Sequence, residues 1–410
     1  MSVEAQAGAG EIGQKEIGPW PPILAGLLAA VVGYGSSFAI VLQGLIGVGA
    51  SPAQAESGLL ALGTLMGLAA IVFGLRTRMP VAIAWSTPGA ALLAATGAPE
   101  GGFAAAVGAF IVAGALVVIA GLWKPLGRAV LAIPAPLASA MLAGVLLSFC
   151  IAPVKAVAEV PMMALPVVIG WVVVTRFARL YAAPAAVVIA AAMYALVAFG
   201  VLPGGEATPA PMAGDWQWPT LTWVTPVFSG AAMISIALPL FLVTMASQNI
   251  PGFAVLRANG YEPPSSPLLV GTGISTLIAA PFGGHAVNLA AITAAICAGP
   301  DAHPDPKRRY VAAVVSGAAY VAMGILAPFA AGFIAASPPI LIEAVAGLAL
   351  LGAFGASSLA FLGAAKERDA ALVTFVTTAS GFSAFGIGAA FWGLVAGGAV
   401  LVLHRFGRRA

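Results

Sequence analysis

Charge is scarce in this sequence. Only 8% of its 410 residues are Asp, Glu, Lys or Arg, about a third of what a soluble domain carries, which excludes a large soluble core. The chain holds 3 histidines and 2 cysteines, and both Cys150 and Cys297 fall in apolar runs. Thiols so placed read as small buried hydrophobes rather than a disulfide or a metal pair. Also missing are a phosphate-cradling GxxxxGK[ST] loop, an intramembrane HExxH and an Asp cluster suited to metal–diphosphate chemistry. ATP-driven pumping and membrane-enzyme chemistry lose their residues with them, so neither cofactor nor metal is expected. The net charge of +3 is scattered over short loops and makes no nucleic-acid patch.

What fills the chain is apolar: 61% hydrophobic residues and a mean hydropathy of +1.04. A crossing helix needs about 20 such residues. Runs and their punctuation predict an all-α polytopic membrane protein of fourteen segments, near 22–47, 57–75, 80–97, 101–121, 126–149, 161–176, 183–201, 228–256, 265–280, 284–299, 309–334, 338–356, 369–385 and 387–404. Loop charges test that count. Basic residues follow the even-numbered segments: Arg76 and Arg78, Lys124 and Arg128, Arg176 and Arg179, Arg257, Lys307 to Arg309, Lys366 and Arg368, and Arg405, Arg408 and Arg409. Loops after odd-numbered segments carry almost none, Lys155 being the exception, and the 203–227 connection has no Lys or Arg. Basic loops stay in the cytoplasm, so both termini are expected there, including a polar tail over 1–21 that lacks the features of a cleaved signal.

The halves resemble each other. Sliding the chain by 203 residues lays PLASAMLAGVLL (136–147) over PILIEAVAGLAL (339–350) and AIAWSTPGAALLAATG (82–97) over HAVNLAAITAAICAGP (285–300). One offset serving two separated stretches predicts a repeat of 22–202 in 228–404. Seven crossings per half force the copies into opposite orientations, the inverted-repeat plan of many secondary transporters.

In that plan the ligand lies near mid-membrane at broken helices. The repeat supplies one break per half. In RMPVAIAWSTPGAALL (78–93) a short β-like run ends at Trp85, and Ser86 or Thr87 is placed to cap a helix that opens with Pro88. In PFGGHAVNLAAITAAICA (281–298) the chain runs extended through two glycines, with Asn288 as the expected cap. Two such N-termini, each worth roughly half a positive charge, would hold one anion without a buried Lys or Arg. The bland alternative is a pair of packing kinks. Further polar groups are Tyr34, Ser36, Ser37 and Gln43 in the first segment and Ser247, Gln248 and Asn249 in the eighth. Each hydroxyl either lines a site or bonds its own backbone. Among deep titratable groups, His285 either carries a proton or bonds loop carbonyls, and Glu343 carries a proton or is a packing residue.

At these stretches, and at LPLFLVTMASQNIPGFAVLRANGY (238–261) and FGIGAAFWGLVAG (385–397), the chain resembles the benzoate/proton symporter family, BenE, over about residues 22–404. The resemblance implies proton-driven import of benzoate or a related aromatic carboxylate across a bacterial inner membrane. It extends distantly to nucleobase symporters and sulfate-type anion transporters. They imply a core domain (22–121 plus 228–334), a gate domain (126–201 plus 338–404) and a homodimer joined through the gate. Nucleobase symporters use acids on segments eight and ten, where this chain has Gln248 or Asn249 and no acid. A carboxylate ligand would be repelled by fixed acids, so the departure suits it. The expected site places the carboxylate by Ser86, Thr87 and Asn288, the ring against Tyr34, Phe38 and Trp85, and hydrogen bonds from Gln43, Gln248 and Asn249. His285 and Glu343 are the proton candidates. The other reading is a facilitator or channel for another small organic anion.

Overall fold

A computed structural model describes residues 20–123, 125, 134–202, 218–385 and 387–407. Most of the expected tail, Lys124 and Arg128, the first residues of segment five, the connection over 203–217, and Arg408 and Arg409 lie outside the described residues.

The first apolar run forms two helices, α1 (Trp20–Gly35) and α2 (Phe38–Gly47), interrupted at Ser36 and Ser37. Helix α3 (Pro52–Thr77) is delimited by local chemistry at both ends. Ser51 and Gln54 form a reciprocal capping box ahead of Pro52, and Arg78 closes the helix in the left-handed conformation at φ 54°. Strand β1 (Ile83–Trp85) leads into α4 (Thr87–Thr96), followed by α5 (Gly102–Leu122), α6 (Ala135–Glu159), α7 (Pro161–Ala178) and α8 (Ala182–Ala198). The second half holds α9 (Gly230–Ala258), α10 (Ser265–Ala279), β2 (Val287–Leu289), α11 (Ile292–Ala298), α12 (Tyr310–Ile325), α13 (Ala327–Ala336), α14 (Pro339–Leu362), α15 (Arg368–Ala379) and α16 (Ala389–Gly407).

Helix α9 has two π-turns, Met233–Ala237 and Met245–Asn249. Each precedes a proline by two residues, Pro239 and Pro251. Proline removes an N–H and crowds the carbonyl four residues back, and a widened turn accommodates both.

Several sequence boundaries move. Helix α6 continues through Pro153 to Glu159, so Lys155 belongs to a helix rather than a loop. The eleventh segment bends by 57° at Leu326, and the thirteenth ends as a helix at Ala379. Among the described residues, eight helices are long and apolar enough to cross a membrane, or nine if the bent pair is one span. The third and tenth stretches are not among them, because each is a short strand plus a short helix.

The helices pack as two groups. In one, α3 lies along α12, α5 along α10, and α1 on α12 and α11. In the other, α14 lies along α6, α15 on α16 and α6, and α7 on α8. The groups meet where α4 touches α6, α2 touches α14 and α1 touches α8. Inside the first group β1 and β2 pair antiparallel, with Ile83 opposite Leu289, Ala84 opposite Asn288 and Trp85 opposite Val287. A strand pair away from water needs its backbone groups satisfied within the protein, and that need organises the candidate site.

Candidate functional site

Ser86 is the hub. Its side chain caps α4 by accepting from Gly89 N–H at 3.1 Å, which makes Ser86 the cap of the two the sequence offers and leaves Thr87 and Pro88 to open the helix. Such a cap is worth about 0.5–2 kcal/mol. The same Oγ accepts from the Thr244 hydroxyl at 3.0 Å, and the Ser86 carbonyl accepts from His285 Nε2–H at 2.9 Å. Its N–H lies 3.0 Å from the Ala286 carbonyl. Asn288, with its amide turned to satisfy both groups, also accepts from Ser86 N–H at 2.9 Å and donates to the Leu289 carbonyl at 2.8 Å.

Asn288 is therefore no helix cap. It sits in the middle of β2 opposite Ala84, and α11 begins after Ala291 with no side-chain cap. Pairing with a distant strand decides its conformation, and local capping preference does not.

The aromatic residues do converge. Tyr34 stacks near Phe38, ring centroids 5.9 Å apart, and tilts against Trp85 at 5.0 Å. All three are buried. Trp85 is fixed by its indole N–H, which donates to Ser37 Oγ at 2.8 Å; Ser37 in turn donates to the Gly33 carbonyl at 2.6 Å. The break between α1 and α2 thus holds the indole, a role the sequence reading did not give to Ser37. This aromatic corner immediately precedes the capped start of α4.

The polar candidates divide by whether their atoms are already engaged. The Tyr34 hydroxyl and Gln43 Oε1 are buried without a hydrogen-bond partner among the described residues. At the first turn of α4, Gly89 N–H is taken by Ser86 and Pro88 has none, so Thr87 supplies the remaining donors. Gln248 is half-buried in the second π-turn. Asn249, by contrast, is fully buried with its amide committed: Oδ1 accepts from Leu289 N–H at 2.9 Å and Nδ2 donates to Met245 Sδ at 3.3 Å.

His285 is buried, its ring centroid 6.4 Å from that of Phe110 in a T-shaped arrangement. A carbonyl only accepts, so Nε2 carries the hydrogen and Nδ1 keeps a lone pair, which has no partner among the described residues. Glu343 is not brought to this place. It is exposed on α14, while Leu341, Ile342, Ala344 and Val345 around it are buried. No group of three or more His, Cys, Asp or Glu able to hold a metal occurs among the described residues.

Two packing groups of helices, with a strand pair inside the first, make a fold that solved membrane proteins share. The fold matches the transmembrane domain of a cyanobacterial bicarbonate transporter, BicA, at a TM-score of 0.54 and 16% identity, covering 94% of this chain and 96% of that one. It matches the murine Slc26a9 anion transporter at 0.61 and 13% identity, covering 95% of this chain and 68% of that one. The family is shown by the sequence. The family model described as benzoate membrane transport protein, BenE, matches residues 18–403, and the chain belongs to that family. It is 43% identical to the inner membrane protein YdcO of Escherichia coli K12, covering 94% of this chain and 96% of that protein. It is 30% identical to a benzoate membrane transport protein of Acinetobacter baylyi, covering 91% and 92%.

Proposed function

We propose that the protein imports benzoate, or a closely related aromatic carboxylate, together with a proton across the bacterial inner membrane. The carrying observation is the buried corner of Tyr34, Phe38 and Trp85 directly ahead of the capped N-terminus of α4. A flat ring fits against aromatic faces, each good ring pair adding about 0.5–1.5 kcal/mol beyond its buried area. The carboxylate then lies by Thr87, where the helix dipole favours a negative charge, with the Tyr34 hydroxyl and the Gln43 amide as partners. Gln248 borders the site. Ser86, Asn288 and Asn249 shape it from behind.

The reading includes fourteen crossings in two inverted copies, with the third and tenth stretches passing as strand plus half-helix. Two features support it. Packing of α3 on α12 mirrors that of α10 on α5. The 203-residue offset equates Ala84 with Val287 and Trp85 with Asn288, and in the strand pair each faces the other's copy, as a two-fold axis demands. The first packing group is then the moving core and the second the gate. Both termini are cytoplasmic in this arrangement, and a homodimer would form through the gate.

His285 is the proposed proton carrier. A proton added at Nδ1 leaves the Nε2–H bond to Ser86 intact and brings a positive charge to the site with the substrate anion. Calorimetry with benzoate tests the site. Trp85→Leu and Thr87→Ala should each weaken binding tenfold or more, and unchanged affinity in both would overturn the assignment.

A further inference from the structure

In β2 the N–H groups of Val287 and Leu289 are not bonded by β1. Thr276 of α10 accepts the first at 2.9 Å, and Asn249 of α9 accepts the second at 2.9 Å. Thr276 Oγ1 also lies 3.3 Å from the Val287 carbonyl. On the other strand, the Thr244 hydroxyl of α9 holds Ser86 at the junction of β1 and α4. One helix therefore holds β2 directly from Asn249 and the junction of β1 with α4 from Thr244, five residues apart.

An α-helix turns about 100° per residue, so two side chains five apart diverge by roughly 140° and cannot reach one strand pair. Between these two residues lies the π-turn Met245–Asn249. Its i→i+5 bonding stacks residues five apart on the same side. We infer that the π-turn before Pro251 is a positioning device, aiming Thr244 and Asn249 together so that β1, β2 and the start of α4 are carried as one piece with α9. Asn249 and Thr244 act through the strands and do not touch the substrate.

The inference rests on the transport reading for its consequence but not for its geometry, and the test separates the two. Hydrogen–deuterium exchange on the purified, detergent-solubilised protein reads the strands directly, with no substrate present. Asn249→Leu should raise exchange over residues 286–290 at least tenfold, and Thr244→Val over 84–89, with the contact of α6 and α14 unaffected. Thr244→Ser, which keeps the hydroxyl, should restore protection. In proteoliposomes both variants should lower kcat for benzoate at least fivefold while the order of KM among ring-substituted benzoates stays as in the parent. Unchanged exchange in both variants would overturn the proposal. So would intact exchange combined with a reordered substrate preference in Asn249→Leu, which would make Asn249 a ligand group. Altered exchange with no benzoate uptake even in the parent protein would uphold the positioning role and defeat the transport reading instead. Should Asn249→Leu fail to fold, Thr244→Val with its serine rescue carries the same decision.

Discussion

Ser37 shows how much one hydroxyl decides. It takes the Trp85 indole hydrogen and gives its own to the Gly33 carbonyl. Ser37→Ala leaves a buried N–H unpaired, at a cost of about 1–3 kcal/mol. Thermal melting should register that loss, and benzoate affinity should fall because the ring no longer has a fixed wall; Ser37→Thr should retain both. His285 presents a different question, since one of its nitrogens is engaged and the other is not. Vesicle uptake by His285→Gln should lose its dependence on the pH gradient while the amide still donates to Ser86. Gradient-driven accumulation in that variant would remove His285 from the coupling. Trp85, Ser86 and His285 each stand out against their neighbours in the sequence. Thr244 and Thr276 do not, and Ser37 stands there only as one of several polar groups without its indole partner, because a single hydroxyl in an apolar helix leaves no periodic trace and its partner lies far along the chain.

Among elements, the third stretch was readable and the tenth only partly so. A β-like run, a capping serine and a proline are local signals, and β1 and α4 follow them closely. Asn288 carried an equally good capping signal, yet strand pairing claimed it. The polar trio Ser247, Gln248 and Asn249 was visible, but their directions depend on the π-turn, which widens the helix without altering its hydrophobic pattern. Close packing adds a test of the α2–α4 contact. A side chain at Gly44 would place its Cβ 2.5 Å from the Ala90 carbonyl oxygen and 3.1 Å from Ala90 Cα. Backbone cannot yield as a flexible side chain does, so overpacking by Gly44→Val should cost about 1–3 kcal/mol or more. A lowered melting temperature, with Thr87 and Trp85 untouched, would separate this from loss of ligand groups.

At the scale of the whole molecule, composition and loop charge made a polytopic helical protein legible, and the family follows from long shared motifs. What they leave out is the meeting line of the two packing groups, because contacts between distant helices leave no pattern in either one. That line offers a check on motion. A Cβ at Gly35 would lie 3.6 Å from the Cβ of Pro184, across the contact of α1 with α8. Disulfides span about 3.5–4.5 Å between Cβ atoms. In a chain with Cys150 and Cys297 replaced by alanine, Gly35→Cys with Pro184→Cys should cross-link on oxidation. If core moves against gate, uptake should then stop and return on reduction; full uptake by the oxidised form would argue against that movement. Uphill accumulation of benzoate driven by a pH gradient alone would further distinguish a symporter from a channel.

The strand pair has a consequence for how the chain is made. Ile83 waits for Leu289, on the order of 200 residues later, and α3 likewise waits for α12. At about 5–20 residues per second, ribosomes need some 10–40 s to supply those partners. During that interval the first half sits in the lipid with an open strand and an unmatched helix face. Biogenesis of this transporter is therefore late and collective: the site comes into being only when the second half closes on the first, and each half is the other's folding template.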